Sequence, residues 1–180
     1  MTPFRWSWID TPLGRMSAVV ASTGAVVRLD FEDDSYREEA NRLISGADAP
    51  EAVAHVALQL AEYFEGRRRR FDLDLAPQGS VFLQRAWRGL RNTPYGSVLS
   101  YGDLARRLEP PSSARAVGRA SALNPVSVII PCHRIVAADG QMTGYSGGLD
   151  RKRALLAHED AELNRPANPS TKALPREAIF

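Results

Sequence analysis

The chain has 180 residues, of which 44% are hydrophobic and 24% charged, the balance of a soluble globular protein with one or two small domains. Its single cysteine, Cys132, excludes an internal disulfide and any zinc or iron–sulfur site built from several thiolates. The net charge of +2 hides a gradient: residues 1–66 carry 5 basic and 11 acidic side chains, residues 67–180 carry 18 and 10. All but Lys152 and Lys172 of the basic residues are arginine, whose planar fork suits phosphates and base edges. The last two-thirds of the chain is therefore the part expected to meet a polyanion, unless the arginines reflect only a GC-rich genome.

In chain order, the start "MTPFRWSWID" has neither the basic opening nor the apolar run of a signal peptide, and no stretch is apolar for the length of a membrane span. A reducing cytoplasm is the expected setting, with no membrane partner. In "FRWSWID", Phe4, Trp6 and Trp8 alternate with Arg5 and Ser7, which predicts a strand with an aromatic core face. "TPLG" is turn chemistry, and "RMSAVVAS" and "AVVRLDF" read as two further strands of an antiparallel meander. The spacing of Val53, Val56, Leu60 and Phe64 predicts a helix over 52–64, and "FDLDL" alternates as another strand. Between them "GRRRR" is either a solvated turn or a phosphate contact. The Pro and Gly of "LAPQGS" place a domain boundary near Pro77.

The rest reads as helical with one short apolar strand. "VFLQRAWRGL" puts Phe82, Ala86, Trp87 and Leu90 on one face. Ser100, with Asp103 three residues on, caps "SYGDLARRL", whose inner face is Leu104 and Leu108. A second helix, "SARAVGRASALN", ends at Asn124–Pro125, so the pair forms a helix-turn-helix. Ala114, Ala116, Gly118, Ala120, Ser121 and Ala122 give this second helix almost no bulk, which allows close approach to another helix or to a DNA groove. Arg115 and Arg119, one turn apart, favour DNA.

Cys132 lies in "VIIPCHRIV", where Pro131 breaks any strand entered at Val128. A thiol reacts as its thiolate and needs a proton acceptor. His133 is adjacent, but strand neighbours point to opposite faces, so a pair requires a turn in the chain or a bridging water. Leu155 and Glu159 share a face of the helix "DRKRALLAHE", capped by Asp150, and a buried Glu159 would need a partner such as a histidine. "GYSGGLD" supplies backbone that approaches something closely around Tyr145 and Ser146. Residues alone leave a nucleophilic and a merely structural cysteine both open.

"NPVSVIIPCHRIV", followed by "GYSGGLDRKRALLAHE" and preceded by "PYGSVLSYGDLA" and "ARAVG", resembles the O6-alkylguanine-DNA alkyltransferases, the methylated-DNA–protein-cysteine methyltransferases. "TPLGRMSAVVASTGAVVRLDF" and "YFEGRRRRFDL" resemble that family's N-terminal domain less specifically. The resemblance implies an α/β (α+β) fold: an RNase-H-like domain with an antiparallel sheet over 1–77, a mostly helical, winged-helix-like domain over 78–163, and a tail over 164–180. It implies a monomer that acts on double-stranded DNA, flips out O6-alkylguanine, and moves the alkyl group irreversibly to Cys132, with O4-alkylthymine as a further substrate and no cofactor. His133 would draw the thiol proton through a water, Glu159 would orient it, and Asn124 would brace the turn before the cysteine. Tyr101, Tyr145 and Ser146 would hold the base, and Arg115 would replace it in the duplex. Ala114, Gly118, Arg119 and Ser121 would meet the groove. The single cysteine departs from relatives that carry an N-terminal metal-binding cysteine domain or a structural zinc. Two rivals stand beside this reading: a lesion-sensing DNA-binding module without transfer, and a turning-over hydrolase using Cys132, His133 and Glu159.

Overall fold

The β-branched and aromatic residues of the first third form strands where turn residues separate them. A computed structural model describes residues 4–33 and 48–160, so the 164–180 tail lies outside the described residues. Strands β1 (Arg5–Thr11), β2 (Gly14–Val20) and β3 (Val26–Phe31) make an antiparallel sheet in the order β1-β2-β3. Its register pairs Trp8 with Ser17 and Ser17 with Asp30.

The aromatic face of β1 is not the core face. Ser7 and Ile9 are buried, whereas Trp6 and Trp8 are half-buried on the opposite side. Ile9, Met16, Ala18, Val20, Leu29 and Phe31 join the main apolar cluster, which leaves the indoles on the sheet's second face. There the rings meet edge to face at 5.9 Å and Arg15 stacks 4.2 Å from Trp8, beside a buried Arg28–Asp30 ion pair of 2.9 Å. Amphipathic indoles suit a face that also carries charges.

Helix α1 (Pro50–Phe64) begins with proline, whose missing N–H costs nothing at a helix start. It buries Val53, Val56, Leu60 and Tyr63, so Tyr63 takes the place that the apolar spacing assigned to Phe64. Gly66 (φ 74°) ends the helix, and the arginines after it fold back. Arg67 pairs with Glu65, Arg68 reaches Glu62 at 2.6 Å, and Arg69 sits 5.4 Å over the Tyr95 ring. The "FDLDL" segment buries Phe71 and Leu73 as its alternation predicts, yet it is not a strand. It makes one bridge, Val26 to Leu75, because the edge of β3 is shared. Further along that edge, Leu29 bonds Pro125 O and Ser127 N, both at 2.9 Å. The second half of the chain thus extends the sheet of the first.

Helix α2 (Val81–Arg91) is capped by Ser80 and buries Ala86, Trp87 and Leu90, with Phe82 half-buried. The Trp87 indole donates to Ala120 O at 2.8 Å. β4 (Leu99–Ser100) pairs in parallel with β5 (Ile135–Val136). Ser100 caps helix α3 (Tyr101–Arg107), accepting from Asp103 N, and its hydroxyl donates to the Asp103 carboxylate at 2.7 Å. Helix α4 (Ala114–Ala122) is capped by Ser113 and packs on α3 as the expected helix-turn-helix. Helix α5 (Leu149–His158) starts on Gly148 (φ 89°); Asp150 is not the cap but lies in the first turn, paired with Arg153 at 2.9 Å. One buried cluster runs from Ile9 to Leu155 through both halves.

Candidate active site

The chain reaches Cys132 through turns and not through a strand. Val128 has φ 70° and its neighbours close a Ser127 O to Ile129 N bond of 2.8 Å, a γ-turn of the rare positive-φ kind. A β-branched residue adopts that conformation only under constraint. Pro131, at φ −82° and ψ 63°, makes an inverse γ-turn that closes Ile130 O onto Cys132 N at 2.8 Å. Residues Cys132–Arg134 then form one 3₁₀ turn before β5. The break expected at Pro131 is present, and the only strand within "VIIPCHRIV" is Ile135–Val136, because Pro131 and the tight turns leave no extended backbone to pair. Cys132 and His133 consequently escape the opposite-face geometry of a strand.

Asn124 holds this bend. Its Oδ1 accepts from Val126 N at 3.0 Å, while Nδ2 donates to Ile130 O at 2.8 Å and to Cys132 Sγ at 3.1 Å. A thiolate accepts such a bond better than a thiol does. Cys132 is 4% exposed and in no disulfide.

Behind the thiol lies a buried carboxylate with four strong donors. Glu159 Oε1 accepts from Tyr63 Oη at 2.7 Å, His133 Nε2 at 2.9 Å and Arg134 Nη2 at 2.9 Å; Oε2 accepts from Arg134 Nε at 2.8 Å. Arg134 Nη1 also donates to Thr93 O at 2.6 Å. Burial alone would raise the Glu159 carboxyl, but the bonds from His133 and Arg134 hold it far below the usual carboxylate range. Burial pushes the His133 imidazole down, and Glu159 only partly restores it, so the ring is neutral at pH 7. A carboxylate only accepts, so Nε2 carries the ring proton and Nδ1 holds the free lone pair. Nδ1 has no protein partner among the described residues.

Lys152 closes the other side. Its fully buried ammonium donates to Ile135 O at 2.6 Å, Thr143 O at 3.1 Å and Gly144 O at 3.2 Å. Burial lowers its pKa to about 8, and its interaction with Cys132 opposes the fall.

A cavity of about 260 Å³ opens onto Cys132. α4 lines it with Gly118, Ser121 and Ala122, α3 with Tyr101, and the glycine loop with Gly144, Tyr145 and Ser146. The Tyr101 hydroxyl donates to Thr143 O at 3.0 Å, joining two of these walls. The structure thus gathers Cys132, Tyr101, Tyr145, Ser146, Gly118 and Ser121 around one space, with Asn124 bonded to the cysteine sulfur and His133 and Glu159 also buried. Ala114, Arg115 and Arg119 instead lie on the exposed side of α4. Gly118 and Ser121, expected at a groove, line the cavity. Tyr63, Arg134 and Lys152 escaped sequence reading. Only Tyr63 left a trace, since a tyrosine in a buried stripe needs a partner for its hydroxyl.

The pH dependence of stability follows from these shifts. The folded chain resists protonating His133 and Glu159 where the unfolded chain does not, so both contributions are lost on acidification, from pH near 6.5 for His133 and 4.5 for Glu159. Calorimetry should show Tm falling as pH drops from 7 to 4; a flat profile would contradict the neutral buried imidazole. Tyr63→Phe should cost about 1.5–3 kcal/mol in chemical denaturation, the worth of a bond to a charged acceptor. A loss below about 0.5 kcal/mol, within ordinary surface effects, would show that the hydroxyl is not held by Glu159.

Comparison with known proteins places these features in a family. Residues 4–77 match the model described as the 6-O-methylguanine DNA methyltransferase ribonuclease-like domain, and residues 81–161 match that of its DNA binding domain. The methylated-DNA–protein-cysteine methyltransferase of Mycolicibacterium paratuberculosis is 40% identical over 151 residues, covering 84% of this chain and 89% of the relative. That of Haemophilus influenzae is 37% identical over 173 residues, covering 96% and 95%. The crystal structure of Mycobacterium tuberculosis OGT in complex with DNA aligns with a TM-score of 0.78 at 36% identity, over 91% of this chain and 96% of that one. No helix among the described residues is long and apolar enough to cross a membrane. With both domain models matched in order and relatives aligned over nearly their whole length, the chain belongs to the 6-O-methylguanine DNA methyltransferase family.

Proposed function

We propose that the protein repairs double-stranded DNA by moving the alkyl group of O6-alkylguanine onto Cys132, once per molecule and irreversibly. The observation that carries this reading is a cysteine sulfur on the wall of a base-sized cavity, 3.1 Å from the Asn124 amide, with an imidazole held by Glu159 next in the chain. His133 Nδ1 takes the thiol proton through a bridging water, and the charge that appears on the ring is stabilised by Glu159 on Nε2. The thiolate then attacks the alkyl carbon. One S–C bond forms, the C–O6 bond breaks, and its electron pair leaves on the guanine, where hydrogen bonds offset the developing charge. A thioether does not hydrolyse, so the acceptor is spent.

The alkyl carbon of a lesion is stacked inside the duplex, so the nucleotide must be extruded at a cost of a few kcal/mol. Arg115, exposed in the first turn of α4, fills the space left behind and offsets part of that cost. Ala114 and Arg119 share its exposed side and meet the minor groove, where small residues allow close approach. Gly118 and Ser121 act on the cavity side, against the extruded base. Tyr101, Tyr145 and Ser146 close around that base. The protein works as a monomer in a reducing cytoplasm, which keeps the single thiol free.

Incubation with duplex DNA bearing one O6-methylguanine should add one methyl group to Cys132, seen by intact mass and peptide mapping, and none to Cys132→Ala. Turnover beyond one lesion per molecule, or repaired DNA beside an unmodified cysteine, would sink the proposal. Arg115→Ala should slow transfer from duplex DNA by about tenfold or more, the rate equivalent of 1.4 kcal/mol of lost flipping energy. Its reaction with free O6-benzylguanine should stay within about twofold, since no base is flipped there. Equal losses on both substrates would remove the role in flipping.

A further inference from the structure

Arg151 stands outside the cavity, yet it grips segments on both sides of the join between the two halves. Its Nε donates to Leu13 O at 2.8 Å, in the turn between β1 and β2. Its Nη1 donates to Gly147 O at 3.0 Å, in the glycine loop, and to Asp33 Oδ1 at 2.7 Å. The guanidinium lies 4.2 Å from the centre of the Phe31 ring at the end of β3. Both loops are shaped around this contact. Gly14 has φ 120°, and a Cβ there would lie 2.9 Å from Arg151 Nη2. A Cβ on Gly147 would lie 2.9 Å from Phe31 Cδ2 and 2.9 Å from Tyr145 Cε1, so its backbone is wedged between the N-terminal sheet and a cavity wall.

We infer that Arg151 is a positioning residue that straps the 144–148 loop to the N-terminal sheet and thereby sets where Tyr145 and Ser146 stand over the pocket. Its link to transfer rests on the function proposed above. The loop holds itself by one turn bond, Gly148 N to Tyr145 O at 2.9 Å, while Gly144 and Gly148 both take positive φ and Gly147 has no side chain to pack. Lys152 and Tyr101 fix one end, at Thr143 and Gly144, and Arg151 fixes the other, at Gly147. Asp33 is 69% exposed in its side chain, so its ion pair is screened by water. The strap therefore rests on two carbonyls and the Phe31 ring. A planar fork serves these together, and a lysine ammonium cannot stack and bridge in the same way.

Arg151→Met and Arg151→Lys test the strap against wild type by hydrogen exchange and by kinetics. Exchange of amides 144–148 should rise about tenfold or more in Arg151→Met, with amides 128–134 unchanged. Transfer from duplex O6-methylguanine and from free O6-benzylguanine should fall together by about tenfold, because a misplaced wall harms both. Affinity for undamaged duplex and labelling of Cys132 by iodoacetamide should each stay within about twofold. Arg151→Lys, which keeps the charge and stem, should fall about threefold in transfer and decides the matter if Arg151→Met does not fold. Unchanged loop exchange, unchanged transfer, or an equal fall in iodoacetamide labelling would overturn the inference. Wild-type protein that takes no methyl group would instead overturn the proposed function, leaving the exchange result to judge the strap.

Discussion

The buried carboxylate of Glu159 is the constraint on which the rest of the structure depends. A charge placed there would cost several kcal/mol if left unpaired, so it survives only with a full set of donors. Those donors come from distant parts of the chain: Tyr63 from α1, and His133 and Arg134 from the turn that carries Cys132. Glu159 itself follows the last residue of α5. Satisfying one carboxylate therefore fixes the N-terminal helix, the active-site turn and the C-terminal helix relative to one another. The same requirement places the ring proton on Nε2 and leaves the Nδ1 lone pair free, the arrangement that the role proposed for His133 needs. Structure and reactivity here are one hydrogen-bond count.

A second constraint acts along the backbone before the cysteine. Asn124 takes hold of Val126 and Ile130, and the residues between them must close within a few ångströms. Val128 accepts a positive φ as a result, a strain of about 1–3 kcal/mol that a glycine would not feel. The return is that the same amide that braces the bend also reaches the sulfur. Bend and thiol environment cannot be changed independently. The packing of Ser127 and Leu29 onto a shared sheet edge ties this bend to the N-terminal half as well.

Much of this was legible in the residue order, and what was not shares a cause. Helix starts at Ser100 and Ser113 follow from local capping chemistry, and the stripes of α2 and α3 follow from period. Leu155 and Glu159 are both buried, as their shared helical face implied. Tyr63, Arg134 and Lys152 were missed because their partners lie from 8 to 96 residues away, beyond one helical turn, and no local pattern distinguishes a paired buried side chain from a solvated one. The sheet deceived for a related reason. Alternation in β1 and in "FDLDL" tells which residues share a face, but not which face is covered or which edge is already occupied. The expected Asp150 cap failed because Gly148 reaches the helix start first, with a φ open to glycine.

Gly118 shows how the cavity and the fold compete within one helix. A glycine inside a helix costs about 1 kcal/mol relative to alanine. Packing does not demand it, since a Cβ there would meet the Tyr101 ring at 3.7 Å, ordinary contact distance. The cavity supplies the other reason, because Gly118 is one of the residues that line it. A turning-over enzyme must also release product and reset, which favours mobile walls. An acceptor consumed in one reaction has no such step, so its pocket can be held from every side. The walls here are held in that way: α4 by Trp87 on Ala120, the glycine loop by Lys152, Tyr101 and Arg151, and the thiol by Asn124.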